Sequence, residues 1–295
     1  MFEIISLVKR HMIRFLRDKT AVFFSFLSVF ILIALYFLFI GKSYTSYGGM
    51  QQLTDESLKS MLVIGVMMGG VLVINSMSLS LGMMGNIIED LNNHALDAFL
   101  VTPTKRYKII LSYYLAANIV TSALSILMWI VTILYAGLLN DTWYSISVIL
   151  KTSGLLIFFT FISSSIMIYI TTLLKSVNAF GTLSGVLGTF VGFVSGIYMP
   201  LTILGNSVKN IASIVPFTHM AILLKNVLLE APMTTLSTYI NDDATMLAIK
   251  EDYGMMPIGV FGLDISMLWI FVGIVVFACL MLYLAYRNMI KKMNQ

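Results

Sequence analysis

Few side chains in this sequence could do covalent chemistry, and none stands at a spacing that would do it. The nearest approach to a nucleotide site is Gly41-Lys42-Ser43, which mimics the end of a phosphate-binding loop. Such a loop needs an earlier glycine where this chain has Tyr36, and a strand where this chain has an apolar run. His11, His94 and His219 lie far apart, no His-Glu-x-x-His occurs, and no Asp-rich pair is spaced to hold Mg²⁺ for a transferase. His219, beside Pro216 and Thr218, reads as a hydrogen-bonding residue and not a ligand. No catalytic residue, metal ligand or resident cofactor is therefore expected. What stands out is a polar island from Glu89 to Lys108, EDLNNHALDAFLVTPTKRYK, set between two apolar runs. It reads as a short amphipathic helix, then Thr102-Pro103-Thr104, then the bases Lys105, Arg106 and Lys108. Joining two spans needs only a few residues. A structured, charged elbow suits the docking of something from the water side.

The elements that must position this elbow are membrane spans. The sequence has 295 residues, 59% hydrophobic and only 11% charged, where a soluble domain carries about 25% charged residues. Mean hydropathy is +0.93. These values identify an all-α, polytopic membrane protein. Spans of about twenty apolar residues fall at about Ala21–Ile40, Leu58–Met84, Ile109–Leu139, Ser147–Leu174, Ala179–Met199 and Ile265–Tyr286. The resulting single transmembrane domain divides into an interfacial helix (1–20), spans one and two (21–84), the elbow (85–108), spans three to five (109–199), external re-entrant helices and loop (200–264), and span six with its tail (265–295). No cleaved leader is expected, because the first apolar run is too long and lacks a small-residue cleavage site. The lone cysteine, Cys279, leaves no intrachain disulfide.

Six spans place both termini on one side. That side carries 12 of the 18 Lys and Arg residues, including Lys9, Arg10, Arg14, Arg17, Lys105, Arg106, Arg287 and Lys292. The positive-inside rule makes it cytoplasmic, and the expected location is a plasma membrane, that of a bacterium. The net charge of +4 is this asymmetry and no nucleic-acid footprint. Residues 1–19 read as an amphipathic helix with Ile5, Val8, Met12 and Phe15 on one face and Arg10, Arg14 and Arg17 on another, its bases resting on anionic lipid.

Between Ala21 and Ile40, Ser60 and Ile88, Ile109 and Asn140, Thr152 and Leu174, and Ser176 and Gly205 there is no ionisable acid, base or histidine. Ion-coupled carriers usually embed such groups, so the energy source is expected outside the chain. Asn75, Asn118 and Asn178 are the embedded amides. Gly181, Gly185, Gly188, Gly192 and Gly196 form one helical stripe, and Gly65 and Gly69 a second small-xxx-small pair. Either set can seat a neighbouring helix; the longer stripe can also be a dimer seam or a sliding wall. Beyond it, Pro200, Gly205-Asn206 and Pro216 break the chain into two short pieces, as an outer gate or vestibule wall would require. The acids Asp242, Asp243, Glu251 and Asp252 read as a solvated external loop.

With these features in place, the chain resembles the type-2 permease family, the membrane subunits of ATP-binding-cassette exporters. That family's elbow reads Glu-x-Gly-Thr-Leu-Glu-x-Leu-Leu-x-Thr-Pro-x-x-Arg. Leu96, Asp97, Phe99, Leu100, Thr102, Pro103 and Arg106 match it in kind, whereas Asn92, His94 and Ala95 depart from it. Outside the membrane, Gly196, Pro200 and Pro216 match the family pattern, with Lys225 in place of its usual Arg. The resemblance implies a separate ATPase subunit, in two copies, which binds ATP and Mg and seats on Asp97, Phe99, Leu100, Pro103 and Arg106. It also implies a second permease subunit, identical or homologous. The expected function is export of an amphipathic substrate (a drug, antimicrobial peptide or lipid-like molecule), with a role in multidrug or antibiotic resistance. An ion-coupled carrier would need an embedded titratable residue. An immunity or sensor protein would bind a peptide at the external loop.

Overall fold

The computed structural model describes residues 2–35, 55–93, 95–96, 104–196, 198, 201, 205–240, 242–260, 263 and 265–292. Among them are ten helices: α1 (Phe2–Arg17), α2 (Lys19–Leu35), α3 (Glu56–Asn92), α4 (Arg106–Asn140), α5 (Ile146–Leu173), α6 (Val177–Val194), α7 (Asn206–Ile214), α8 (Pro216–Tyr239), α9 (Asp243–Asp252) and α10 (Met267–Lys292). Of the expected elbow residues, Asp97, Phe99, Leu100 and Pro103 lie outside the described residues, as does Pro200.

Helix α3 is the hub of the bundle. Its 37 residues are apolar on every side of the helix over their central stretch, which is the pattern of a helix surrounded by protein. Helices α2, α4, α5, α6 and α8 all pack on it. Asp55 caps its start by accepting hydrogen bonds from the backbone amides of Ser57 and Leu58. Helices α3, α4, α5, α6 and α10 are each long and apolar enough to cross a membrane, and α2 covers the first expected span as far as Leu35. Short connections join α4 to α5, which packs back on it, and α5 to α6, which packs on α3. The end of α3, the start of α4, the end of α5 and the end of α10 therefore share one end of the bundle, called here the terminal end. There Lys292 donates to the carbonyl of Leu174.

Helices α7 and α8 meet at a bend of 88°. Pro216 occupies the first turn of α8, where its missing N–H costs nothing, and His219 donates from Nε2 to the carbonyl of Ser213 across the bend at 2.8 Å. The sequence suggests two short pieces here. In the structure α8 runs 24 residues and continues through Pro232, because it is packed along α3 and the tertiary contacts outweigh the local penalty.

That packing is close. A Cβ at Gly65 would lie 2.5 Å from Leu229 Cδ2, and one at Gly69 would lie 2.5 Å from Lys225 Cγ and 3.2 Å from its Cα. The hydroxyls inside the bundle pair between helices: Ser76 with Ser163 and Ser80 with Ser164 at 3.1 Å, Ser122 with Thr160 at 2.6 Å, and Asn75 donating to Ser125 at 3.2 Å. Such bonds stabilise a membrane bundle by about 0.6 kcal/mol each. The amides and hydroxyls thus tie helices together, while dispersion packing around α3 contributes more.

Candidate coupling site and cavity

The terminal end of α3 is built around one buried carboxylate. Asp90 is fully buried and accepts two hydrogen bonds from Arg10, at 2.9 and 3.0 Å, and one from Arg14. The phenol of Tyr113, on α4, donates to it as well. Arg14 spans two residues, donating its other nitrogen to Glu89 at 2.7 Å. A buried carboxylate is tolerated only when its charge is matched and its lone pairs are occupied, and four donors from two other helices meet that condition. The result is a clamp of α1 and α4 onto the last turn of α3.

His11 fills the space behind the clamp. It is fully buried and stacks on Tyr113 at 3.8 Å between ring centroids. Its Nδ1 lies 3.3 Å from Arg10 Nη1, which can only donate. Nδ1 is therefore an acceptor, the proton sits on Nε2, and Nε2–H donates to Ser112 Oγ at 3.2 Å. Ser112 in turn donates to the carbonyl of Ile109 at 2.6 Å. Burial, with the Arg10 charge adding to it, pushes the His11 pKa down from 6.5 to about 3, so the ring stays neutral. One turn away, Lys108 pairs with Glu3 at 2.6 Å.

The sequence assigns Arg10 and Arg14 to lipid. The structure corrects this: both turn inward to Glu89 and Asp90, because two adjacent carboxylates at the end of α3 offer stronger partners than a lipid headgroup in water. The buried face of α1 is Val8, His11 and Phe15, with Ile5 exposed. The i, i+3, i+7 spacing of those three was present in the sequence. The opposite charges were too, but Asp90 was absorbed into the elbow and not paired with α1.

A cavity of about 510 Å³ opens beside the clamp, between α2, α3 and α6. Its wall on α3 runs from Ser78 to Glu89, and Arg14, Asp18 and Glu89 stand at its terminal end. Gly181 and Gly185 line it, and a Cβ at either would meet nothing within 4 Å. Gly188 lines it too. Further along the stripe, Gly192 lies against the Tyr198 ring. Gly196, at φ +66°, makes the turn that packs on Leu201. The glycines therefore divide: Gly181 and Gly185 face open space, Gly188 is buried, and the last two face the returning chain. Arg106 begins α4 and is exposed, and Pro216 sits at the α7–α8 bend. Among the described residues no group of three or more His, Cys, Asp or Glu side chains could hold a metal ion.

Residues 42–283 match the family described as ABC-2 family transporter protein. That stretch covers most of the chain and the expected spans two to six, short of the last residues of the sixth. The chain belongs to the ABC-2 transporter family. It is accordingly the membrane permease component of an ABC transporter, whose ATPase is a partner, and in this family the membrane subunit is generally not itself the catalyst. No curated protein matches the chain.

Proposed function

We propose that this ABC-2 permease exports an amphipathic substrate through the cavity between α2, α3 and α6, driven by two copies of the partner ATPase. The observation that supports this reading is the continuity of α3. One unbroken helix forms the cavity wall from Ser78 to Glu89 and ends inside the elbow at Asn92. A push on the elbow is a push on the cavity wall, and the clamp makes α1 and the start of α4 move with it. The docking residues are Asp97, Phe99, Leu100 and Pro103, with Arg106 at the rim. The open glycine face of α6, at Gly181 and Gly185, faces a second permease subunit or the sliding path between two of them. Pro200 and Pro216 bound the outer gate. Both termini then lie in the cytoplasm of a bacterial cell.

The test is purification of the intact chain from its native membrane, with the double variant Leu100→Asp, Pro103→Ala alongside. A soluble ATPase with a phosphate-binding loop should accompany the native chain in stoichiometric amount. The variant should keep its helical content, while ATP hydrolysis continues without transport. Normal export by the variant would remove the elbow assignment.

A further inference from the structure

The cavity carries information about what it holds. Among the described residues three charged side chains line it, and two are acidic. The third, Arg14, has both terminal nitrogens committed, Nη1 to Asp90 and Nη2 to Glu89. Arg17 and Lys19, the next bases along the chain, are exposed and form no part of the lining. Asp18 spends Oδ1 on the backbone amide of Ala21. Glu89 uses only Oε2, toward Arg14, and its side chain is 47% exposed. Oε1 of Glu89 has no hydrogen-bond partner among the described residues. The mouth of the cavity thus presents an accessible carboxylate edge, and no base is oriented to receive an anion.

Above that mouth the walls are apolar and aromatic, with Phe15, Phe24 and Phe180 on three helices and Tyr198 at the far end. Ring faces attract cations as well as apolar bodies. From Glu89 to Ser78 is about 16 Å along α3 at 1.5 Å per residue. The volume is within the range that holds one drug-sized molecule. Ser25 and Ser184 bond to carbonyls of their own helices, at 2.8 Å each, so they offer little to a strongly polar body.

We infer that the cavity is a binding site for an amphipathic organic cation, with its positive head on Glu89 at the terminal end and its apolar body against Phe24 and Phe180. This deepens the exporter reading and rests on the cavity being its substrate site. Arg14 is the internal counter-ion of Glu89 when no ligand is bound. A ligand head can take its place at Glu89 without stranding Arg14, because Arg14 keeps Asp90. The site therefore exchanges one cation for another and never leaves a bare carboxylate at the membrane.

The experiment compares two ions of the same shape and opposite charge. Tetraphenylphosphonium and tetraphenylborate are dialysed to equilibrium against the chain in phosphatidylcholine nanodiscs, with empty nanodiscs subtracted. The phosphonium should bind saturably and the borate should not. Glu89→Gln should weaken the phosphonium about tenfold, the effect of one partly screened charge. It should keep its fold, since Asp90 retains Arg10, Arg14 and Tyr113. Gly185→Phe, which places a ring in open space, should abolish binding with helical content unchanged. Equal binding of both ions, or phosphonium binding unmoved by either variant, would overturn the site. So would the absence of saturable binding, the result if lipid or a second copy of the chain fills the cavity. The two readings fail separately. Binding without ATP-driven accumulation in vesicles that also hold the ATPase would sink export and leave the site. Export of a neutral or anionic probe, blocked by Gly185→Phe and untouched by Glu89→Gln, would sink the cation site and leave export.

Discussion

Helices α3 and α6 use glycine in opposite ways. Toward α8, Gly65 and Gly69 are closed: side chain and backbone of the neighbour occupy the space a Cβ would need. Toward the cavity, Gly181 and Gly185 of α6 look onto nothing within 4 Å. Small residues spaced four apart signal close helix contact in membranes, and the pair on α3 is used for it, as are Gly82 against Ser25 of α2 and Gly85 against Phe180, whereas Gly181 and Gly185 are not. The α8 side is a fixed joint. The other side, with α2, α6 and the α1 clamp, is where the bundle keeps its cavity. A transporter needs both, since a wall that moves must be braced against one that does not.

The sharpest way to break this comparison is to put the same side chain on each side. Gly69→Leu drives a bulky group into Lys225 and its backbone. Overpacking of this kind costs about 1–3 kcal/mol where neighbours can shift, and the backbone contact leaves little room to do so. The variant should fail to accumulate or melt many degrees lower in detergent. Gly185→Leu should leave the melting temperature unchanged or slightly raised, because leucine is the better helix former by nearly 1 kcal/mol, while transport is lost. Equal destabilisation by the two would mean that the stripe on α6 is already packed.

Next in size is the clamp. Asp90→Asn keeps the shape of the side chain and removes the charge that holds Arg10 and Arg14. Losing one partner of a buried pair costs about 3–5 kcal/mol. Both arginines keep about a third of their side-chain surface exposed, at 35% and 30%, so about 2 kcal/mol is the expected loss. Protease cutting between α1 and α2 should rise, and ATP hydrolysis by the complex with the ATPase should lose its stimulation by substrate. By contrast, Glu230→Gln, which removes an exposed pair with Lys151, should change neither.

Much of this was legible in the residues. The spans and the α7–α8 break follow from apolar runs and Pro216, because water and lipid sort whole segments by composition. The closed pair Gly65 and Gly69 was also visible as a small-xxx-small pair. The clamp was not. Arg10, His11 and Arg14 are about eighty residues from Glu89 and Asp90 and a hundred from Ser112 and Tyr113, and composition carries no trace of a pairing across such gaps. Amphipathicity placed the arginines of α1 on a polar face; that this face would meet two carboxylates and not lipid depends on how α1 docks. The division of the glycine stripe was hidden for the same reason. Spacing places five glycines in a row but does not tell which have neighbours.

The smallest expected effect comes from His11 and tests the clamp by pH alone. Its ring is held neutral, with a pKa lowered from 6.5 to about 3 by burial and then by Arg10. A group whose pKa is depressed on folding contributes stability that is present above the unfolded value and lost as pH falls toward the folded one. The window is therefore pH 6.5 to about 3. Between pH 7 and 5.5 the loss should be about 1 kcal/mol, set by proton uptake of an unfolded histidine alone. Protonation would put a second N–H against Arg10, whose guanidinium has no lone pair to receive it. The readout is the melting temperature of the native chain and of His11→Gln over that range. Glutamine can hydrogen-bond here and does not titrate, so its curve should lose the part of the slope that belongs to this ring. Parallel curves would place His11 outside the clamp and leave Asp90 with the arginines and Tyr113 as the whole of it.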